Sequence, residues 1–169
     1  MTRLRIERFS YRFAEQVLNA KLSLKQEVET FLRDPELAFS ELSRPTFNAL
    51  LEERFIAKGW ESQPQVFDHE TDAAARMDFL KDRVGVEVGF SHASFIGIDL
   101  LKFQVASYSG QNVIDAGIYI VTTAAFQRKA KADHGLNWHG SLTFEKVKRY
   151  LPLFKSAIQV PVLVLGVDV

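Results

Sequence analysis

Cysteine is absent, so disulfides and thiolate zinc sites are excluded. No apolar run approaches a membrane span, and the opening Met-Thr-Arg-Leu-Arg-Ile-Glu-Arg lacks the apolar core of a secretory signal. The expectation is a cytoplasmic protein without a membrane partner. Net charge is missing too, with 21 basic residues against 21 acidic ones, so overall charge does not point to nucleic acid. GxGxxG, Walker A and GxSxG motifs are absent, which removes dinucleotide, P-loop and α/β-hydrolase readings. Repeats, linkers and low-complexity segments are lacking as well.

What is present suits one domain with a real core: 169 residues, 47% apolar and 25% charged. We expect a single domain over 1–169, with a helical N-terminal part at 1–44 and a core at 45–169. The charge is unevenly spread. Residues 128–155 carry seven basic side chains (Arg128, Lys129, Lys131, Lys146, Lys148, Arg149, Lys155) against Asp133 and Glu145 alone. Such a face suits phosphates, although a solvated helix surface reads the same way.

In chain order, Phe9, Phe13, Val17 and Leu18 recur at helical spacing, and Ser23 reads as the cap of a second helix burying Leu24, Val28, Phe31 and Leu32. Asp34-Pro35 breaks it. A third helix starts near Pro45, runs through Phe47, Leu51, Phe55 and Ile56, and stops at Gly59. An edge strand at Gln65–Asp68 and a polar turn through Asp72 follow. Later come a helix over Ile96–Ser109 with Ile98, Leu101, Val105 and Tyr108 on one stripe, a buried strand over Val113–Thr122, a basic helix over Ala124–His134, a short helix from Thr143 and a strand over Pro161–Val167. The pattern predicts an α/β fold, a central mixed sheet flanked by helices. Asp133, His134 and His139 match no zinc-site spacing and read as surface.

The informative stretch is Arg76–Phe90. Two β-prone runs, Met77–Leu80 and Val84–Phe90, flank the short polar turn Lys81-Asp82-Arg83, a hairpin pattern. Asp78 and Glu87 each sit among apolar neighbours, where an unpaired charge is costly. Pairing the strands brings both carboxylates to one end of the hairpin. There they repel unless a cation lies between them, and a hard divalent ion such as Mg2+ suits oxygen ligands.

The pattern Asp78…Glu87-Val88-Gly89 resembles the core of the PD-(D/E)xK nucleases. The run Val84–Gln104, with Lys58-Gly-Trp-Glu61, the segment 141–151 and Ile158-Gln-Val-Pro-Val-Leu163, is similar to the BglII/BstYI-type restriction endonucleases. The resemblance implies a restriction-endonuclease-like core and Mg2+-dependent double-strand cleavage of double-stranded DNA by a bacterial homodimer, at a short palindrome of the GATC-centred kind. It assigns Asp78, Glu87 and the carbonyl of Val88 to the metal, and an acidic residue of the preceding helix, Glu53 or Glu52, to its vicinity. Ser91, His92, Ser94, Thr122, Thr123, Ser141 and Lys129 fall where DNA contacts are made, with helix capping the alternative for the hydroxyls, Ser94 above all. The departure is Gly89, where the family carries glutamine or lysine that positions the attacking water. Three explanations stand: an inactivating substitution, a DNA-binding relative without cleavage, or another residue in that role, with Lys102 the candidate. On the first, a glutamine at 89 is expected to raise cleavage.

Overall fold

The computed structural model describes residues 2–67 and 75–169. Among them six strands, β1 (Arg5–Tyr11), β2 (Glu61–Ser62), β3 (Phe79–Lys81), β4 (Val84–Val88), β5 (Ala116–Thr122) and β6 (Val162–Asp168), build one mixed sheet in the order β1–β6–β5–β4–β3–β2. Strands β4, β5 and β6 are parallel at the centre; β1 pairs antiparallel with β6, β3 with β4 and β2 with β3. Both β5 and β6 are buried along their length, so their sequences are almost continuously apolar rather than alternating.

The helices α1 (Ala14–Asn19), α2 (Leu22–Arg33), α3 (Arg44–Ala57), α4 (Ile96–Ala106), α5 (Ala124–His134) and α6 (Phe144–Tyr150) cover both faces. On one side Leu18, Val28, Phe47, Phe55 and Phe126, from α1, α2, α3 and α5, pack on Val86, Ile118 and Leu165. On the other, Leu100, Phe103 and Val147, from α4 and α6, pack on Tyr119, Val121 and Val164. Ser43 caps α3 by accepting the Thr46 amide at 3.3 Å, Pro45 sits in its first turn, and Gly59 takes the left-handed φ of +80° just beyond its end. Aromatic contacts then fix the central hairpin to this layer: Phe55 stacks on Phe79 at 4.2 Å, and Phe47 and Trp138 bracket Phe90 at 5.0 and 5.2 Å.

Three expectations are corrected. The start of the chain is strand β1, not helix; Phe9 and Phe13 are four apart, but Arg5–Tyr11 pairs with β6, and Arg8 holds Glu29 of α2 through two hydrogen bonds of 2.7 and 2.8 Å. Ser23 lies inside α2, whose N-cap position is Lys21. The edge strand is Glu61–Ser62, with Gln65 forming only a single bridge to Arg76; Asp68 and the turn through Asp72 lie outside the described residues.

Helix α4 is also rotated relative to its expected stripe. It buries Asp99, Leu100, Lys102, Phe103 and Ala106, while Leu101 is 46% and Tyr108, just past its end, 59% exposed. Of the expected stripe Ile98 and Val105 are half-buried and Leu101 and Tyr108 exposed, while two charged residues three positions apart face in.

Candidate active site

The hairpin closes through Asp82 and Arg83, both left-handed (φ 45° and 65°), the two-residue turn whose twist matches the flanking strands. Arg83 is steadied by Asp115 at 3.0 Å and the Asn112 carbonyl at 2.8 Å. The ladder runs Lys81↔Val84, Leu80↔Gly85, Phe79↔Val86. One step further in that register, Asp78 faces Glu87 where β4 ends. In open α/β sheets the carboxyl ends of parallel strands are where ligands bind.

Both carboxylates are held in place. Asp78 accepts the Val88 amide on Oδ2 at 2.7 Å and Gln63 Nε2 on Oδ1 at 3.2 Å. Glu87 accepts Lys102 Nζ on Oε2 at 2.9 Å, and its Oε1 is buried with no hydrogen-bond partner among the described residues. Lys102 also donates to the Arg76 carbonyl at 3.0 Å and lies 3.3 Å from Asp99 Oδ1. Asp99 Oδ2 in turn accepts the Tyr119 hydroxyl at 2.7 Å. The continuous chain is Tyr119–Asp99–Lys102–Glu87.

Burial pushes Glu87 well above the usual carboxylate range, and the charge of Asp78 adds to this; Lys102 pulls back without cancelling it. Burial likewise raises Asp78 and Asp99. For Lys102 burial works against the ammonium, but Glu87 and Asp99 outweigh it and its pKa is raised. The Tyr119 hydroxyl is driven well up by burial and then by Asp99.

A cavity of about 260 Å³ opens on Asp78, Glu87, Val88, Ser91, Asp99 and Lys102, with Arg76 and Phe95 at its border. A second, of about 370 Å³, shares Asp78, Val88 and Ser91 and adds Gln63 and Glu52. A larger cleft of about 560 Å³ lies by Glu7, Lys148 and Arg149. Two of its three acids are already engaged, Glu145 on the Ala124 amide and Asp168 on Arg5 and Thr123.

The Asp78–Glu87 arrangement fits a hard divalent cation. Its donors are oxygens, and one of them, Glu87 Oε1, is a buried acceptor without a partner among the described residues. Among the described residues no three His, Cys, Asp or Glu side chains form a metal cage, so further ligands would be backbone oxygen and water, as Mg2+ commonly has.

The structure brings together Asp78, Glu87 and Val88, with Ser91 at the mouth. Glu53 is exposed and borders neither cavity; its neighbour Glu52 does. His92 and Ser94 are exposed, and the His92 ring accepts the Ser94 amide at 3.2 Å, so the cap there is His92 and not Ser94. Lys129 is exposed and paired with Asp133 at 2.6 Å. Thr122, Thr123 and Ser141 are buried, their hydroxyls engaged by Gln127, by the Phe126 amide and Asp168, and by Arg44. Thr123 is the cap of α5.

Gly89 follows Glu87 on the same side of the strand. An ideal Cβ there would meet Tyr119 Cε2 at 2.7 Å, closer than real side chains approach, and Val121 Cγ1 at a tight 3.0 Å. The ring cannot simply swing aside, because Tyr119 is buried and bonded to Asp99. From the sequence a glutamine at 89 is expected to reach the space beside the carboxylates; in the structure its Cβ would first meet the Tyr119 ring. Sequence reasoning missed Asp99 and Tyr119. The legible signal was Asp99 and Lys102 three apart in an otherwise apolar helix segment.

A family model described as restriction endonuclease BglII/BglIII matches residues 6–167. No curated protein sequence matches the chain. Among solved structures, the chain is similar to the restriction endonuclease BglII complexed with a DNA 16-mer, with a TM-score of 0.71, 18% identity and coverage of 96% of this chain and 77% of that one. It is also similar to free BglII, with a TM-score of 0.67, 20% identity and coverage of 96% and 78%.

Proposed function

The chain belongs to the BglII/BglIII restriction endonuclease family, and on that premise we propose that it is a Mg2+-dependent type II endonuclease cutting both strands of double-stranded DNA at a short palindrome, of the GATC-centred kind. The observation that carries this is the convergence of Asp78 and Glu87 at the end of β4, with the buried Glu87 Oε1 left as an unpartnered acceptor.

Asp78, Glu87 and the Val88 carbonyl are the residues that would hold Mg2+. When bound, the ion supplies Lewis acidity, polarising the scissile phosphate and lowering the pKa of water. The chain's own residues supply the rest. The Val88 amide and Gln63 fix the Asp78 carboxylate, and Lys102 fixes one oxygen of Glu87 while leaving the other open. Ser91, His92 and Ser94, at the mouth and before α4, face substrate, and Arg128, Lys129 and Lys131 on α5 offer charge to phosphates. We read 1–169 as one such domain, β1 tying the N-terminal part to the core sheet.

A palindrome calls for a two-fold dimer. The outward apolar side of α4, with Phe95, Leu101 and Tyr108 exposed, is the surface that supports a homodimer. Among the described residues no helix is long and apolar enough to cross a membrane.

Gly89 favours a second reading, sequence-specific DNA binding without cleavage, because the family's water-positioning side chain is missing there. Digestion of supercoiled plasmid at enzyme excess with Mg2+ separates the two. Linear product that EDTA abolishes supports the endonuclease; tight, sequence-dependent binding with intact plasmid supports the binding protein.

A further inference from the structure

We propose that Lys102, carried by α4, is the catalytic residue that replaces the side chain Gly89 lacks, with Asp99 and Tyr119 as its positioning residues. This rests on the nuclease reading above. A side chain at position 89 would have to displace the Tyr119 ring, 2.7 Å from an ideal Cβ. Yet the same face of the sheet holds one ammonium beside the paired carboxylates, delivered from a different element. Lys102 is only 4% exposed, but its Nζ touches Glu87 and borders the cavity that Asp78 and Glu87 line. Burying a lysine is costly unless it is paired, and here three acceptors pair it: Glu87, Asp99 and the Arg76 carbonyl.

Tyr119 links the two features. It is the register partner of Glu87 on β5, its ring fills the space beside Gly89, and its hydroxyl holds Asp99, which in turn faces Lys102. Gly89, Tyr119, Asp99 and Lys102 are thus one mutually dependent arrangement, not a site with a piece removed. In the reaction the water oxygen bonds to phosphorus and one phosphorus–oxygen ester bond breaks. The water's proton passes to solvent, and the departing oxygen gains one. Lys102 keeps its protons throughout. Two of its N–H groups go to Glu87 and the Arg76 carbonyl. The third hydrogen-bonds the attacking oxygen and balances charge gathering on the phosphate, while Asp99, 3.3 Å away, holds the ammonium by charge.

The test compares Lys102→Met, Tyr119→Phe and Asp78→Ala with the parental protein by single-turnover cleavage of plasmid, Mg2+ binding by calorimetry, DNA binding in Ca2+ and thermal melting. Lys102→Met should lower the cleavage rate by about 10²–10³-fold while binding Mg2+ as tightly or more tightly, since a positive charge beside the ligands is gone. Tyr119→Phe keeps the ring and loses the hydroxyl. It should slow cleavage at saturating DNA without changing DNA affinity. Parental cleavage by Lys102→Met, with Asp78→Ala inactive, overturns this inference and leaves the nuclease reading standing. Loss of Mg2+ binding in a Lys102→Met variant that keeps its fold makes the lysine a support of the metal ligands and also overturns it. A parental protein that cuts nothing overturns both. Should Lys102→Met fail to fold, Tyr119→Phe decides: an unchanged rate overturns the inference.

Discussion

Tyr119 on β5 and Gly89 at the end of β4 are complementary: the ring stands within 2.7 Å of where a Cβ on residue 89 would be. Gly89→Gln is therefore expected to destabilise the protein and not to raise cleavage. Overpacking a filled site typically costs about 1–3 kcal/mol. Thermal melting and a Mg2+ cleavage assay check this. An unchanged melting temperature with faster cleavage would show that the ring gives way.

The raised carboxylates make stability pH-dependent. Glu87, Asp78 and Asp99 all have folded-state pKa values above their usual range, chiefly through burial. Their contribution is full below the ordinary carboxylate pKa and is lost as pH rises through the raised values. Lys102, also raised, keeps its contribution until strongly alkaline pH. Glu29 pulls the other way, because burial would raise it but Arg8 draws it below the usual carboxylate range. The site is therefore read as a difference: in EDTA the melting temperature of Glu87→Gln relative to the parental protein should rise as pH rises from the acid range towards neutrality and above. Added Mg2+ should stabilise the parental protein more at the upper end. Differential scanning calorimetry across pH with and without Mg2+ measures both; a Glu87→Gln difference that stays flat or falls with pH in EDTA contradicts the assignment.

Charge on α5 and α6 predicts the salt dependence of DNA binding. Neutralising one side chain that touches a phosphate should reduce the slope of log affinity against log salt by roughly one unit. Arg128→Ala, Lys131→Ala and Lys148→Ala should show this in fluorescence anisotropy. Lys129→Ala should show less, because that ammonium is already paired with Asp133. Unchanged slopes return these residues to a solvated surface.

The outward stripe of α4 predicts the oligomeric state. Leu101→Glu, at a position 46% exposed, should shift sedimentation from dimer towards monomer while the fold is kept. A parental protein that sediments as a monomer, with and without DNA, argues against the homodimer.

The hairpin is legible in the sequence because its two β-prone runs flank a polar turn, and Asp78 and Glu87 stand out as charges among apolar neighbours. The start of the chain is not. Arg5–Tyr11 is a half-exposed edge strand, so its alternation is weak, and the four-residue spacing of Phe9 and Phe13 imitates a helix. Helix α4 reads back to front for a physical reason: apolar residues lie on both of its sides, and the inner one also carries the charged Asp99 and Lys102. Periodicity alone then picks the wrong side. Tyr119 is invisible because a tyrosine in a buried strand reads as core, and only the register with Glu87 reveals what its ring excludes.

The most direct measurement is cleavage by Asp78→Ala and Glu87→Ala under single-turnover conditions with Mg2+, alongside their DNA affinity in Ca2+. The two carboxylates face each other at the end of the hairpin, one tied to the Val88 amide and the other to Lys102. Both variants should lose detectable cleavage while binding DNA within about threefold of the parental protein, since the interactions removed are those made in the transition state. Cleavage at parental rates by either variant would contradict the assigned site.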